Sequence, residues 1–157
     1  MTINEVLKYN SVIKNIIDNA KDVNALVKFR LLGMLRQFQP IVESFETVRN
    51  EKVIEYANTI EGDEVTGIIE PKKEDFENDE DYQAAYDKFK ECMQKFAEDI
   101  DKLVSSDADI TIKKFKYTDI IDAGLPADYL VAIYDLIEEW LGGMNNGNNS
   151  RYVRKDI

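Results

Sequence analysis

The chain has 157 residues, a net charge of −11 and no histidine, and it is 44% hydrophobic and 32% charged. That length and composition fit one globular domain, and the lack of histidine excludes Ser-His-Asp and Cys-His triads and histidine metal sites. The single cysteine, Cys92, excludes an internal disulfide, and the negative charge disfavours direct binding to nucleic acid, whose phosphates it would repel.

The beginning of the chain predicts a helix from about Thr2 to Asn19. Thr2 can cap this helix, and Glu5 three residues later completes a capping box. No apolar run approaches the ~20 residues of a membrane span, and a basic region followed by an apolar one is absent from the N-terminus. We therefore expect no membrane partner and a chain that stays in the cytoplasm where it is made.

A second helix is predicted from Asp22 or Asn24 to about Asn58. Its apolar residues are spaced alternately four and three apart, as in a heptad stripe: Val27, Leu31, Met34, Phe38, Ile41, Phe45 and Val48. Pro40 lies within it, and its ring would clash with the carbonyl of Arg36. The sequence leaves open whether Pro40 kinks or breaks the helix.

A third long helix is predicted from the acidic stretch 74–81 to about Val104. It carries a stripe of the same spacing: Tyr82, Tyr86, Phe89, Met93, Phe96, Ile100 and Leu103. Two equal stripes joined by a short segment should pack antiparallel as a helical hairpin. The stripes are rich in aromatic residues and methionine, which favours a small irregular bundle over a coiled-coil rod.

Two short segments read as strands. Val65 to Ile69 lies in a segment, Thr59 to Lys73, that is punctuated by glycine and proline, and Asp109 to Lys116 alternates apolar and polar residues. We expect them to pair as a two-stranded ribbon at one end of the hairpin. The predicted fold class is therefore mainly α with a minor β-ribbon.

The last predicted helix begins at Pro126, after a short helix or turn closed by Gly124, and it ends at Gly142 and Gly143. It carries Tyr134 and Trp140. Residues 1–143 form the predicted single domain. Residues 144–157 are predicted to be a flexible polar linker and a basic tail.

The search for reactive groups finds no catalytic constellation. Residues 61–81 hold ten acidic residues against two lysines, a net charge of −8. An EF-hand calcium loop that started at Asp75 would have Glu80 at its sixth position, where glycine is required. Acidic residues at a helix start are explained by the helix dipole. We expect no metal, no cofactor and no enzymatic activity, and we expect Cys92 to be an inert thiol.

A resemblance is carried by the order of three features. These are the acidic helix start from Phe76 to Tyr82, the alternating segment Asp109 to Ile112, and the segment Leu125 to Leu130. With the opening helix pair, they resemble a group of small uncharacterised proteins encoded by tailed bacteriophages, often near structural genes. The resemblance extends to about Leu141 and brings no catalytic residues with it.

Two functions compete. The first is a phage structural or assembly protein, in the virion or in the host cytoplasm during assembly, that binds other phage structural proteins and, as a further option, copies of itself. The expected contacts are the aromatic end of the last helix and the basic tail: Tyr134, Trp140, Arg151, Tyr152, Arg154 and Lys155. The alternative is an acidic inhibitor that binds a host nucleic-acid enzyme by charge mimicry.

Overall fold

The computed structural model describes residues 1–61 and 64–138. The fold is mainly helical, as predicted. The elements in chain order are α1 (Ile3–Asn19), α2 (Ala25–Glu55), β1 (Thr59–Glu61), β2 (Glu64–Gly67), α3 (Asp79–Ser105), α4 (Tyr117–Ile120) and α5 (Ala127–Ala132). Single 3-10 turns cover Lys73–Asp75 and Tyr134–Leu136. In the described part of the chain, no helix combines the length and hydrophobicity that a membrane crossing requires.

Helix α1 begins where the capping box predicts. The Glu5 amide donates to the Thr2 hydroxyl, and the Thr2 amide donates to the Glu5 carboxylate at 2.8 Å. One face of α1 is buried by Val6, Ile13 and Ile16, and also by Tyr9, which is absent from the predicted stripe. The Tyr9 hydroxyl donates to the Asp135 carboxylate at 2.8 Å and so joins α1 to the C-terminal segment.

Helix α2 runs through Pro40 without a break. Asn24 caps its start by accepting a hydrogen bond from the Leu26 amide at 2.8 Å. Near Pro40, the Ser44 hydroxyl donates to the Pro40 carbonyl at 2.7 Å. The first half of the α2 stripe is buried against α1, whereas its second half is only partly covered or exposed.

The predicted hairpin of two fully paired stripes is only partly found. The second half of α2 and the end of α3 do run antiparallel, and Asp99 accepts hydrogen bonds from the Tyr56 hydroxyl at 2.7 Å and the Lys52 ammonium at 3.1 Å. These two bonds lower the pKa of Asp99. None of the α3 residues, all of which are described, is buried. The buried core is therefore formed by α1, the first half of α2 and the segment from Phe115 to Leu136.

The predicted ribbon between residues 65–69 and 109–116 is wrong. β2 instead pairs antiparallel with β1, its immediate predecessor, with Ile60 opposite Val65. This hairpin follows the C-terminal end of α2. Residues 109–114 belong to no strand, and Asp109 has a φ of +50°, whereas Phe115 forms one isolated parallel bridge with Ile137. β2 pairs with β1, and not with residues 109–116, because β1 and β2 are neighbours in the chain.

The predicted long last helix is also wrong. α5 ends at Ala132, and Ile137 has an extended backbone, with φ −106° and ψ 135°. Ile133 and Leu136 enter the core and are fully buried. A continued helix would carry residue 137 away from Phe115, so burial and the Phe115 bridge override helical propensity here.

Replacing Tyr9 with phenylalanine should reduce the free energy of unfolding by about 1 kcal/mol at neutral pH, because Asp135 loses its donor. Burial and the Asp135 hydrogen bond raise the pKa of Tyr9 above its ordinary value of 10.0. A raised folded-state pKa means that this stability is complete below pH 10 and is lost as the pH rises further. Chemical denaturation at neutral and alkaline pH should show a shallower alkaline loss for Tyr9→Phe than for the parent.

The exposed Tyr134→Phe is the matched control, and its pH profile should follow that of the parent. Identical alkaline profiles for Tyr9→Phe and the parent would contradict the assignment of Tyr9.

Candidate partner-binding pocket

Arg30 on α2 fixes the segment that builds the pocket. Its guanidinium carbon lies 4.5 Å from the centroid of the Phe115 ring. It donates to the Lys114 carbonyl at 3.0 Å and to the Asp119 carboxylate at 3.1 Å. A planar guanidinium can make these contacts together, which sets the position of α4 on α2.

Gly124 closes the loop after α4 against the turn between α1 and α2. Its φ is +76°, and a Cβ built on it would lie 2.3 Å from the Asp22 carbonyl oxygen. The Asn24 amide donates to the Ala123 carbonyl at 2.8 Å, next to this approach. Only glycine meets both the backbone conformation and the close contact.

The opposite wall of the pocket is held by the bridge between Phe115 and Ile137. The Phe115 amide donates to the Leu136 carbonyl at 2.8 Å, and the Glu138 amide donates to the Phe115 carbonyl at 2.7 Å. These bonds set Ile137 and Glu138 beside α4. Glu138, the last described residue, therefore lies in the wall of the pocket.

The pocket between α4 and α5 has a volume of about 300 Å³. Its lining is mostly apolar and consists of Tyr117, Ile120, Ile121, Leu130, Val131, Tyr134, Ile137 and Glu138. Ile120 is buried at the base, whereas Val131 and Tyr134 are 76% and 67% exposed. A volume at the lower end of the range for ligand sites suits a bulky apolar side chain of a partner.

The polar groups of the lining are the hydroxyls of Tyr117 and Tyr134 and the carboxylate of Glu138. The Tyr134 hydroxyl and the Glu138 carboxylate can orient a docked side chain by hydrogen bonding at the rim. Within residues 1–61 and 64–138, no three Cys, Asp or Glu side chains are arranged to hold a metal ion. Cys92 on α3 is partly exposed and is a free thiol. The arrangement in the pocket can bind an apolar group.

Of the site residues predicted from sequence, Tyr134 lies on the pocket rim. The others, Trp140, Arg151, Tyr152, Arg154 and Lys155, lie outside the described residues. Ile121 and Val131, which also line the pocket, were not predicted from the sequence. In the predicted last helix, Val131 is an apolar residue outside the apolar stripe, and that position could have indicated an exposed apolar contact.

No protein-family model, no curated protein and no solved structure matches this chain.

Replacing Gly124 with alanine should lower the free energy of unfolding by more than about 1 kcal/mol, because its positive φ and the Asp22 contact both exclude a Cβ. The matched control is Gly33→Ala in α2, where a Cβ meets nothing within 4 Å. That change should stabilise the protein by about 0.8–1 kcal/mol through helix propensity. Urea unfolding of both variants measures the signs, and a neutral Gly124→Ala would contradict the described loop.

Proposed function

We propose that the protein is a non-enzymatic bacteriophage structural or assembly protein, and that the pocket between α4 and α5 is one of its contacts with another phage structural protein. The observation that supports the pocket's role is a cluster of exposed apolar side chains, Ile121, Val131 and Tyr134, around an apolar cavity. Isolated exposed apolar residues are ordinary, whereas a cluster around a concavity is typical of a binding site. The phage origin is supported by the resemblance in sequence pattern alone.

The chemistry of the partner follows from the lining. Burial of a Val- or Leu-sized side chain contributes roughly 1.5–3 kcal/mol, so a single insertion makes a modest contact. Multiple copies in a particle would raise its effective strength, since tethered contacts act at a high local concentration. We therefore propose an occupant with an exposed aliphatic or aromatic side chain.

The C-terminal residues complete the proposed surface. Trp140 follows the pocket residue Glu138 by two positions, and the tail from Arg151 to Ile157 has three basic residues against one acidic residue. We propose that Trp140 and the tail residues Arg151, Tyr152, Arg154 and Lys155 contact the same partner. The tail charge suits an acidic surface on that partner or on a second copy.

Particle composition tests this proposal. Phage particles and assembly intermediates purified from an infected culture should contain the protein when analysed by mass spectrometry. Val131→Glu, carried on the phage genome, should reduce its amount in particles several-fold because the introduced charge would be buried on docking. Ile69→Glu is the matched control at a distant exposed apolar site and should have no effect.

Absence of the parent protein from both virions and intermediates would overturn the structural role. Equal incorporation of Val131→Glu and the parent would contradict the proposed contact at the pocket.

The exposed acidic start of α3 supports a second candidate, an inhibitor of a host nucleic-acid enzyme. Glu77, Glu80 and Asp81 are all exposed, although Asp79 is engaged by Lys73 at 2.9 Å. These carboxylates occupy one helix start and form no long row like a phosphate backbone, so this candidate ranks second.

Charge mimicry predicts that Glu77→Gln, Asp79→Asn and Glu80→Gln together abolish capture of a host enzyme in a pull-down. Unchanged capture after neutralisation would count against mimicry.

A further inference from the structure

A long exposed face runs along α2 on the side opposite the core. Successive side chains of an α-helix are rotated by about 100° around its axis. This rotation places Leu26, Phe29, Gly33 and Ile54 on the outer face. Phe29, Leu26 and Ile54 are 69%, 59% and 60% exposed, and Leu32 beside them is also exposed. Nothing lies within 4 Å of a Cβ built on Gly33. The face thus carries large apolar side chains near both ends.

The charge of this helix changes sign along its length. Residues 25–36 of α2 hold three basic residues and no acidic one, and Arg30 among them is already paired with Asp119, whereas residues 43–55 hold four acidic residues against two basic ones. One of those two, Lys52, is already paired with Glu55 at 2.7 Å and Asp99 at 3.1 Å. α2 is therefore basic towards its start and acidic towards its end.

We infer that a second copy of this chain covers the outer face, with the two α2 helices packed antiparallel about a two-fold axis. Phe29 and Ile54 lie about 37 Å apart at 1.5 Å per residue, and the midpoint of this span falls next to Pro40. An antiparallel partner brings Phe29 of one copy opposite Ile54 of the other, twice by symmetry. The inference goes beyond the pocket between α4 and α5 and is independent of it.

Charge complementarity is what selects this occupant. In the antiparallel arrangement, Arg36 faces the turn of the partner's α2 that carries Glu43 and Glu46, and the net-basic half of one helix meets the net-acidic half of the other. A parallel arrangement would place like charges opposite each other, which is unfavourable. Pro40 near the midpoint has a small ring that allows close approach, and the larger Phe29 and Ile54 lie towards the ends of the contact.

The apolar contact is small, so the dimer should form reversibly between micromolar and millimolar protein concentrations. Sedimentation equilibrium of the full chain should give a mass that rises from one to two copies, and added salt should weaken the association. A mass of one copy throughout this range would overturn the inference.

Paired charge variants test the register. Phe29→Glu alone and Ile54→Lys alone should each shift the association at least tenfold to higher concentration, since each breaks both symmetric contacts. An equimolar mixture of the two variants should form a heterodimer, because one contact becomes a carboxylate–ammonium pair and the other is the original Phe29–Ile54 contact. Absence of the heterodimer would overturn the register.

Folding and specificity have their own controls. Circular dichroism should show the parent helix content in both variants, because positions 29 and 54 are exposed in the monomer. Val131→Glu should dimerise like the parent even if its incorporation into particles fails, which separates this inference from the proposed function. Binding of the parent monomer to phosphatidylglycerol vesicles without self-association would assign the face to a membrane surface and overturn the inference.

Discussion

A difference in length between two helices determines how the other elements pack. α1 has 17 residues and α2 has 31, and the fully buried part of the α2 stripe ends at Phe38. The remainder of the stripe, Ile41, Phe45 and Val48, lies beside Leu103 of α3 and only the first turn of α1. The edge of the α1–α2 pair is closed by the segment from Phe115 to Leu136, which supplies the last large side chains of the core. The fold is thus one well-buried core with a more loosely packed extension.

The sequence predicted elements that depend on neighbouring residues. The Thr2–Glu5 capping box set the start of α1, and Asn24, one of two candidate caps, set the start of α2. Whether Pro40 breaks α2 stayed open from the sequence. The prediction failed where a distant contact decided the backbone. The isoleucines after Pro126 have helical spacing, yet Ile137 is extended because it pairs with Phe115. The alternation of residues 109–116 indicated a strand, but no strand lies beside it.

The same distinction applies to the candidate site. Tyr134 was predicted as a contact residue because it is an aromatic residue on the apolar stripe of the predicted last helix. Ile121 and Val131 were not predicted, because their importance arises from the way Arg30 and Gly124 bring α4 beside α5. Neither of those anchoring contacts has a local signature: an arginine within a helix and a glycine after a turn are both common. The pocket is a product of tertiary contacts between segments about 90 residues apart.

The hydrogen bond between Tyr9 and Asp135 has a consequence for the order of folding. Its partners are 126 residues apart, and Ile133 and Leu136 enter the core beside it. During synthesis, α1 and α2 leave the ribosome long before these residues exist, with their apolar faces still open at one edge. Closing so long a loop is entropically costly and slows folding. The nascent α1–α2 pair must therefore wait for the C-terminal segment, and truncations before residue 136 should yield a chain with an open core.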